Sequence, residues 1–114
     1  MISDNDPITA FEKLVPVRFP VLQRIDLTQS LIGRSAEITI RLVLGQEDDD
    51  GILHLAFEGV RGLKIDWPSW SVIKLDVIQI SDLTHRGMED LRYRVSEGAG
   101  MFAFSCRAFT AKSD

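Results

Sequence analysis

The sequence has one cysteine, Cys106, so no internal disulfide can form and a secreted scaffold stapled by bridges is excluded. It has two histidines, His54 and His85, and they do not stand at metal-ligand spacing. No serine occupies a nucleophile-elbow pattern, and a catalytic histidine needs a nucleophile and an orienting acid within reach. Gly98-Ala99-Gly100 is too short to cradle a phosphate and lacks the helix that would follow such a loop. No run approaches the roughly 20 apolar residues of a membrane helix. The start, Met1-Ile2-Ser3-Asp4-Asn5-Asp6, is polar and acidic where a signal peptide is basic and then apolar. A basic excess is missing too: 13 Lys and Arg face 17 Asp and Glu, a net charge of −4, which argues against a nucleic-acid partner. These absences lead us to expect a cytoplasmic protein with no cofactor, no metal, no membrane and no nucleic acid.

What the chain does have is two-residue alternation. It runs through Ala36-Glu37-Ile38-Thr39-Ile40-Arg41-Leu42 and through Leu53-His54-Leu55-Ala56-Phe57-Glu58. It returns in Leu91-Arg92-Tyr93-Arg94-Val95 and in Phe102-Ala103-Phe104-Ser105-Cys106. Successive strand side chains point to opposite faces, so such runs are strands with one packed face and one wet face. With 45% hydrophobic residues in 114, the chain can build a core without a metal or a bridge.

We expect one β-rich domain over residues 1–114, with 1–6 and 111–114 frayed. Asp6 can cap a short helix with Pro7 at its first position and Ile8, Phe11, Leu14 and Val15 on one face, ended by Pro16. Seven strand-like runs follow, beginning at Val17 and ending at Thr110. Pro20 suggests an edge or a bulge in the first. The run Val72–Ser81 changes phase: Ile73, Leu75 and Val77 alternate, then the apolar set moves to Ile78 and Ile80. That requires a bulge near Val77-Ile78 or burial on both faces. Hairpin-scale spacing favours an antiparallel β-sandwich or partly open barrel of about seven strands with one short N-terminal helix.

Few features could carry chemistry or recognition. Glu47-Asp48-Asp49-Asp50-Gly51 has a faint calcium-loop look, but the EF-hand positions fail, and Asp50-Gly51 reads as hairpin chemistry. Trp67-Pro68-Ser69-Trp70 could stack on a partner or cover the end of the core. His54 falls on a wet strand face and His85 in a polar loop. Cys106 shares the parity of Phe102 and Phe104, which makes it a buried, inert thiol. Arg92 and Arg94 share a wet face that Arg61, Lys64 or Arg107 could extend. Met101, Ala103 and Phe109 have the opposite parity to the core set. They offer an apolar strip either to the N-terminal helix or to a homodimer through the last strand.

One arrangement is familiar as a whole. Leu53-x-Leu55-x-Phe57-x-Gly59-Val60-x-x-Leu63-x-Ile65 precedes Ile78-x-Ile80-x-Asp82-Leu83, then Tyr93-x-Val95 and Phe104-x-Cys106. It resembles a group of small bacterial single-domain proteins, some classed as immunity proteins of polymorphic toxin systems. The resemblance implies an antiparallel β domain that is cytoplasmic and binds rather than catalyses. The expected function is therefore a non-enzymatic interaction protein, an immunity-type inhibitor of a bacterial toxin. An acidic domain suits a basic toxin, because opposite charge steers encounter. The expected surface is Trp67 and Trp70 with the acidic turn Glu47, Asp48, Asp49 and Asp50. The alternative is a carrier of a small apolar ligand held between sheets. An enzyme, using His54 or His85 beside a carboxylate, is the third reading.

Overall fold

The computed structural model describes residues 7–33, 35–48, 50–66, 74–83 and 91–113. A helix α1 (Pro7–Lys13) and a 3-10 turn (Pro16–Arg18) precede eight strands. These are β1 (Val21–Ile32), β2 (Ser35–Gly45), β3 (Ile52–Glu58), β4 (Arg61–Ile65), β5 (Ile78–Asp82), β6 (Tyr93–Glu97), β7 (Phe102–Cys106) and β8 (Ala108–Ser113). They form two sheets, ordered β1-β2-β3-β8 and β4-β7-β6-β5, antiparallel throughout. The fold is the expected antiparallel two-sheet architecture, and the described strands do not close into a barrel.

The eighth strand comes from dividing the run that alternation reads as one, Gly100–Thr110. A bend at Arg107 separates β7 from β8 and moves the chain from the second sheet to the first. The chain makes the matching move between β3 and β4 at Gly59-Val60. Because β3 pairs with β8 and β4 with β7, these four strands are one long two-stranded ribbon folded at a corner. Arg107 N–H donates to the Glu58 carbonyl (2.9 Å) and Val60 N–H to that of Ile38 (3.0 Å), so the corner's backbone stays bonded. Gly59 turns with φ +65°, a conformation that costs a residue without a Cβ little. Strands that switch sheets through a bend are how a sandwich turns its corners.

The bend also resets the parity. Phe102, Phe104 and Cys106 are buried before it, and Phe109 is buried after it. Phe109 is the meeting point of the aromatic core. Its ring lies 4.9 Å from Tyr93, 5.9 Å from Phe57 and 6.3 Å from Phe11 of α1. Phe57 in turn meets Phe104 across the two sheets at 5.0 Å, edge to face. Of the expected apolar strip, Phe109 and Met101 are thus taken up by the core and α1, whereas Ala103 stays half-buried between Lys64 and Ser96. Phe109 therefore gives no sequence-based reason for a homodimer through that strand.

Three further expectations are adjusted. Val15 does not continue the face of α1: it leaves the helix with φ 51° ahead of Pro16 and is 43% exposed. The ring of Pro16 denies the preceding residue the α region. The phase change at Val77-Ile78 is not a bulge within one strand. Lys74 bridges to Val21 and Leu75 N–H donates to the Pro20 carbonyl (2.6 Å), both beside the first sheet, whereas β5 begins in the second. The apolar set changes parity because the chain changes sheets. Finally, Ala111–Ser113 pair with Leu55–Leu53, so fraying does not reach them.

Candidate interaction surfaces

Of the residues expected to recognise a partner, Trp67, Trp70 and Asp49 lie outside the described residues, as do His85 and the helix cap Asp6. Glu47, Asp48 and Asp50 are exposed in the connection from β2 to β3. Glu47 Oε2 accepts a hydrogen bond from Lys74 Nζ at 3.1 Å. Lys74 follows Trp70 by four positions, so the acidic turn is tied to the chain where it leaves the tryptophan segment. Among the described residues, no three His, Cys, Asp or Glu side chains cluster as a metal site. No described helix is long and apolar enough to cross a membrane.

Strand order assembles a second charged surface that sequence reasoning missed. On the wet face of the first sheet, Arg24, Val43, His54 and Lys112 form one row across all four strands. Asp26, Arg41, Ala56 and Thr110 form the next. The rows line a shallow cleft of about 380 Å³. Arg24 Nε pairs with Asp26 at 2.8 Å, leaving Arg41 and Lys112 as cations over a floor of Val43 and Ala56. These residues come from four separate strands. Only their pairing order, which alternation does not reveal, could have grouped them.

The face that Arg92 and Arg94 could share with Arg61, Lys64 or Arg107 is assembled in part. Arg94 and Arg61 lie opposite Ser105 from either side, in one row. Arg92 instead sits with its guanidinium carbon 5.7 Å from the Tyr93 ring centroid. Arg107 leaves that face for the corner. Its Nη2 donates to Glu37 Oε1 at 2.5 Å, with Glu58 Oε2 at 3.8 Å. The hydrogen bond to Glu37 and the nearby carboxylate charges raise the Arg107 pKa above its ordinary value.

The other titratable groups inside the molecule are structural. The Glu97 carboxylate is 4% exposed and accepts three backbone N–H groups: Asp76 at 2.6 Å, Ala99 at 3.0 Å and Met101 at 2.9 Å. It holds the β6–β7 turn and the chain entering β5 together, and all its bonds are internal. Cys106 is fully buried, and burial pushes its pKa up to about 12, so the thiol is inert as expected. An apolar groove of about 520 Å³ runs between Phe11, Val15 and Val17 on one side and Val77, Ile78 and Ile80 of the β5 region on the other.

Among the described residues, no catalytic constellation arises from this geometry. What it presents is a rigid scaffold with charged surfaces of both signs. Comparison with known proteins bears on what those surfaces serve. No curated protein and no solved structure matches the chain. Residues 3–112 match the family Immunity protein PIM8, and with nearly its whole length covered the chain belongs to that immunity-protein family.

Proposed function

We propose that this chain is an immunity-type inhibitor that binds a protein toxin and neutralises it by occupying its surface, without a reaction of its own. Family membership carries this reading. Such a protein needs a rigid framework and a complementary surface, not a nucleophile. The partner we propose is basic and meets the acidic turn Glu47, Asp48, Asp49 and Asp50 together with Trp67 and Trp70. A net charge of −4 and the exposure of Asp48 and Asp50 support the sign of that partner. The Glu47–Lys74 pair supports treating the turn and the tryptophan segment as one surface. Trp residues commonly anchor interfaces inside a polar rim.

Co-expression with each protein encoded next to this chain's gene tests the proposal. The expected result is rescued growth and a complex that co-purifies. Reversing Asp48 to Lys is expected to slow association at low salt while leaving the fold intact, since rim charges act mainly on encounter. A neighbouring protein that neither binds nor harms the cell would defeat the reading.

The apolar groove favours a second reading, a carrier of a small apolar ligand, because its volume lies within the usual range of ligand sites. Native mass spectrometry of freshly purified protein decides it: a retained small molecule supports a carrier, and a bare chain does not.

A further inference from the structure

The hairpin β1–β2 extends past the rest of its sheet. β2 begins at Ser35, but its ladder with β3 begins only at Ile40↔Phe57. β1 lies at the sheet's edge, and among the described residues only Lys74, at Val21, pairs with its outer side. Val21–Ile32 contains no proline or lysine; its charged residues Arg24 and Asp26 and the register shift between Leu22 and Arg24, features that blunt an edge, lie toward its start and leave Leu27–Leu31 without them. An edge left open by the described residues over this length is a template for another strand.

The edge is also apolar on one face. Leu27 pairs with Ile40, which pairs with Phe57, which pairs with Phe109, so Leu27 continues a core row outward. Yet Leu27 is 51% exposed and Leu31, on the same face, is 78% exposed. Between them stands Gln29, opposite Ile38.

We propose that a second copy of this chain pairs antiparallel along the edge of β1 beyond Val21, where no other described residue pairs, across a two-fold axis at Gln29. In that register Leu27 of one protomer stands directly opposite Leu31 of its partner, and the reverse. Each exposed leucine then covers the other. Thr28 meets Ser30 on the wet face. The core row Phe109-Phe57-Ile40-Leu27 runs on into the partner's Leu31 and Ala36, and two four-stranded sheets become one. A segment that matches itself in antiparallel register is what an isologous interface requires, which is why the occupant is a second copy and not an unrelated strand. The proposal does not depend on toxin binding.

Sedimentation equilibrium over micromolar to millimolar concentration, with two variants, tests it. The wild-type chain is expected to pass from monomer to dimer. Leu31→Lys, at a site exposed in the monomer, is expected to weaken the dimer at least about tenfold, from the loss of two buried leucines. Gln29→Cys is expected to form a covalent dimer on mild oxidation, because directly opposed residues of paired strands lie within disulfide range. Thr110→Cys, exposed on β8 and separated from the axis by two strands, is expected not to do so. A chain that stays monomeric throughout overturns the proposal. So does a dimer that ignores Leu31→Lys and leaves Gln29→Cys unlinked.

Discussion

Gly59 and Arg107 lie back to back at the corner where the folded ribbon passes between the sheets. A Cβ placed on Gly59 would stand 2.9 Å from Cβ of Arg107 and 3.2 Å from its Nε. The two residues mark the two sheet crossings, and the crossing at Arg107 lies so close that Gly59 can carry no extra atom. The side chain of Arg107 then reaches out to Glu37 of β2 and Glu58 of β3, tying the outside of the corner.

Gly59→Ala is therefore expected to destabilise the protein by about 2 kcal/mol. Both the left-handed φ and the contact with Arg107 Cβ penalise the methyl group. Urea unfolding measures this. A change below half of that would mean the two crossings are not packed as described. Gly33→Ala provides the comparison: its φ of +62° is similar, but an added Cβ meets nothing within 4 Å. The smaller loss expected there isolates the steric part.

Glu97→Gln is expected to cost about 2 kcal/mol although it is nearly isosteric. One amide oxygen can still accept from Ala99 and Met101, but the amide nitrogen would face the Asp76 N–H, donor against donor. Hydrogen exchange separates the effects: the Asp76 amide loses protection while Val95 in the middle of β6 keeps it. Equal loss at both would point to global loosening instead.

Cys106 makes stability fall at high pH. In the unfolded chain the thiol ionises near its ordinary value of 9.0, whereas in the fold it stays protonated until about 12. Between those values the unfolded state sheds a proton that the native state keeps. Stability from this group is complete below pH 9 and is lost as pH rises toward 12, at up to about 1.4 kcal/mol per pH unit. Comparing the pH dependence of wild type and Cys106→Ala removes contributions from lysine and tyrosine. Identical slopes would contradict the burial of the thiol.

How much of this was legible follows from what alternation encodes. It separates packed from wet side chains within a strand, so β2, β3, β6 and β7 could be read from Ile40, Leu55, Val95 and Phe104 alone. It does not encode where one sheet ends and the other begins. Hence Gly100–Thr110 reads as one strand, although the parity break between Cys106 and Phe109 marks the bend at Arg107. The break between Val77 and Ile78 was visible as well, but its cause, a move between sheets, depends on Pro20 and Leu75 meeting far apart in sequence. Nor does parity say how far the facing sheet reaches. Leu27 and Leu31 carry core parity yet stand in solvent because β1 and β2 outrun the strands above them. The row Arg24-Val43-His54-Lys112 was invisible for a related reason: it exists only once β8 is placed beside β3. The surface expected at Trp67 and Trp70 rests on residue type, and of its neighbours the structure joins Glu47 to Lys74.

Titration of the cognate toxin's activity with this chain is the most direct measurement of its proposed role. A binding inhibitor is expected to abolish activity at an equimolar endpoint that does not move with incubation time. Inactivation that proceeds below equimolar amounts and deepens with time would reveal turnover, and would contradict inhibition by occupancy.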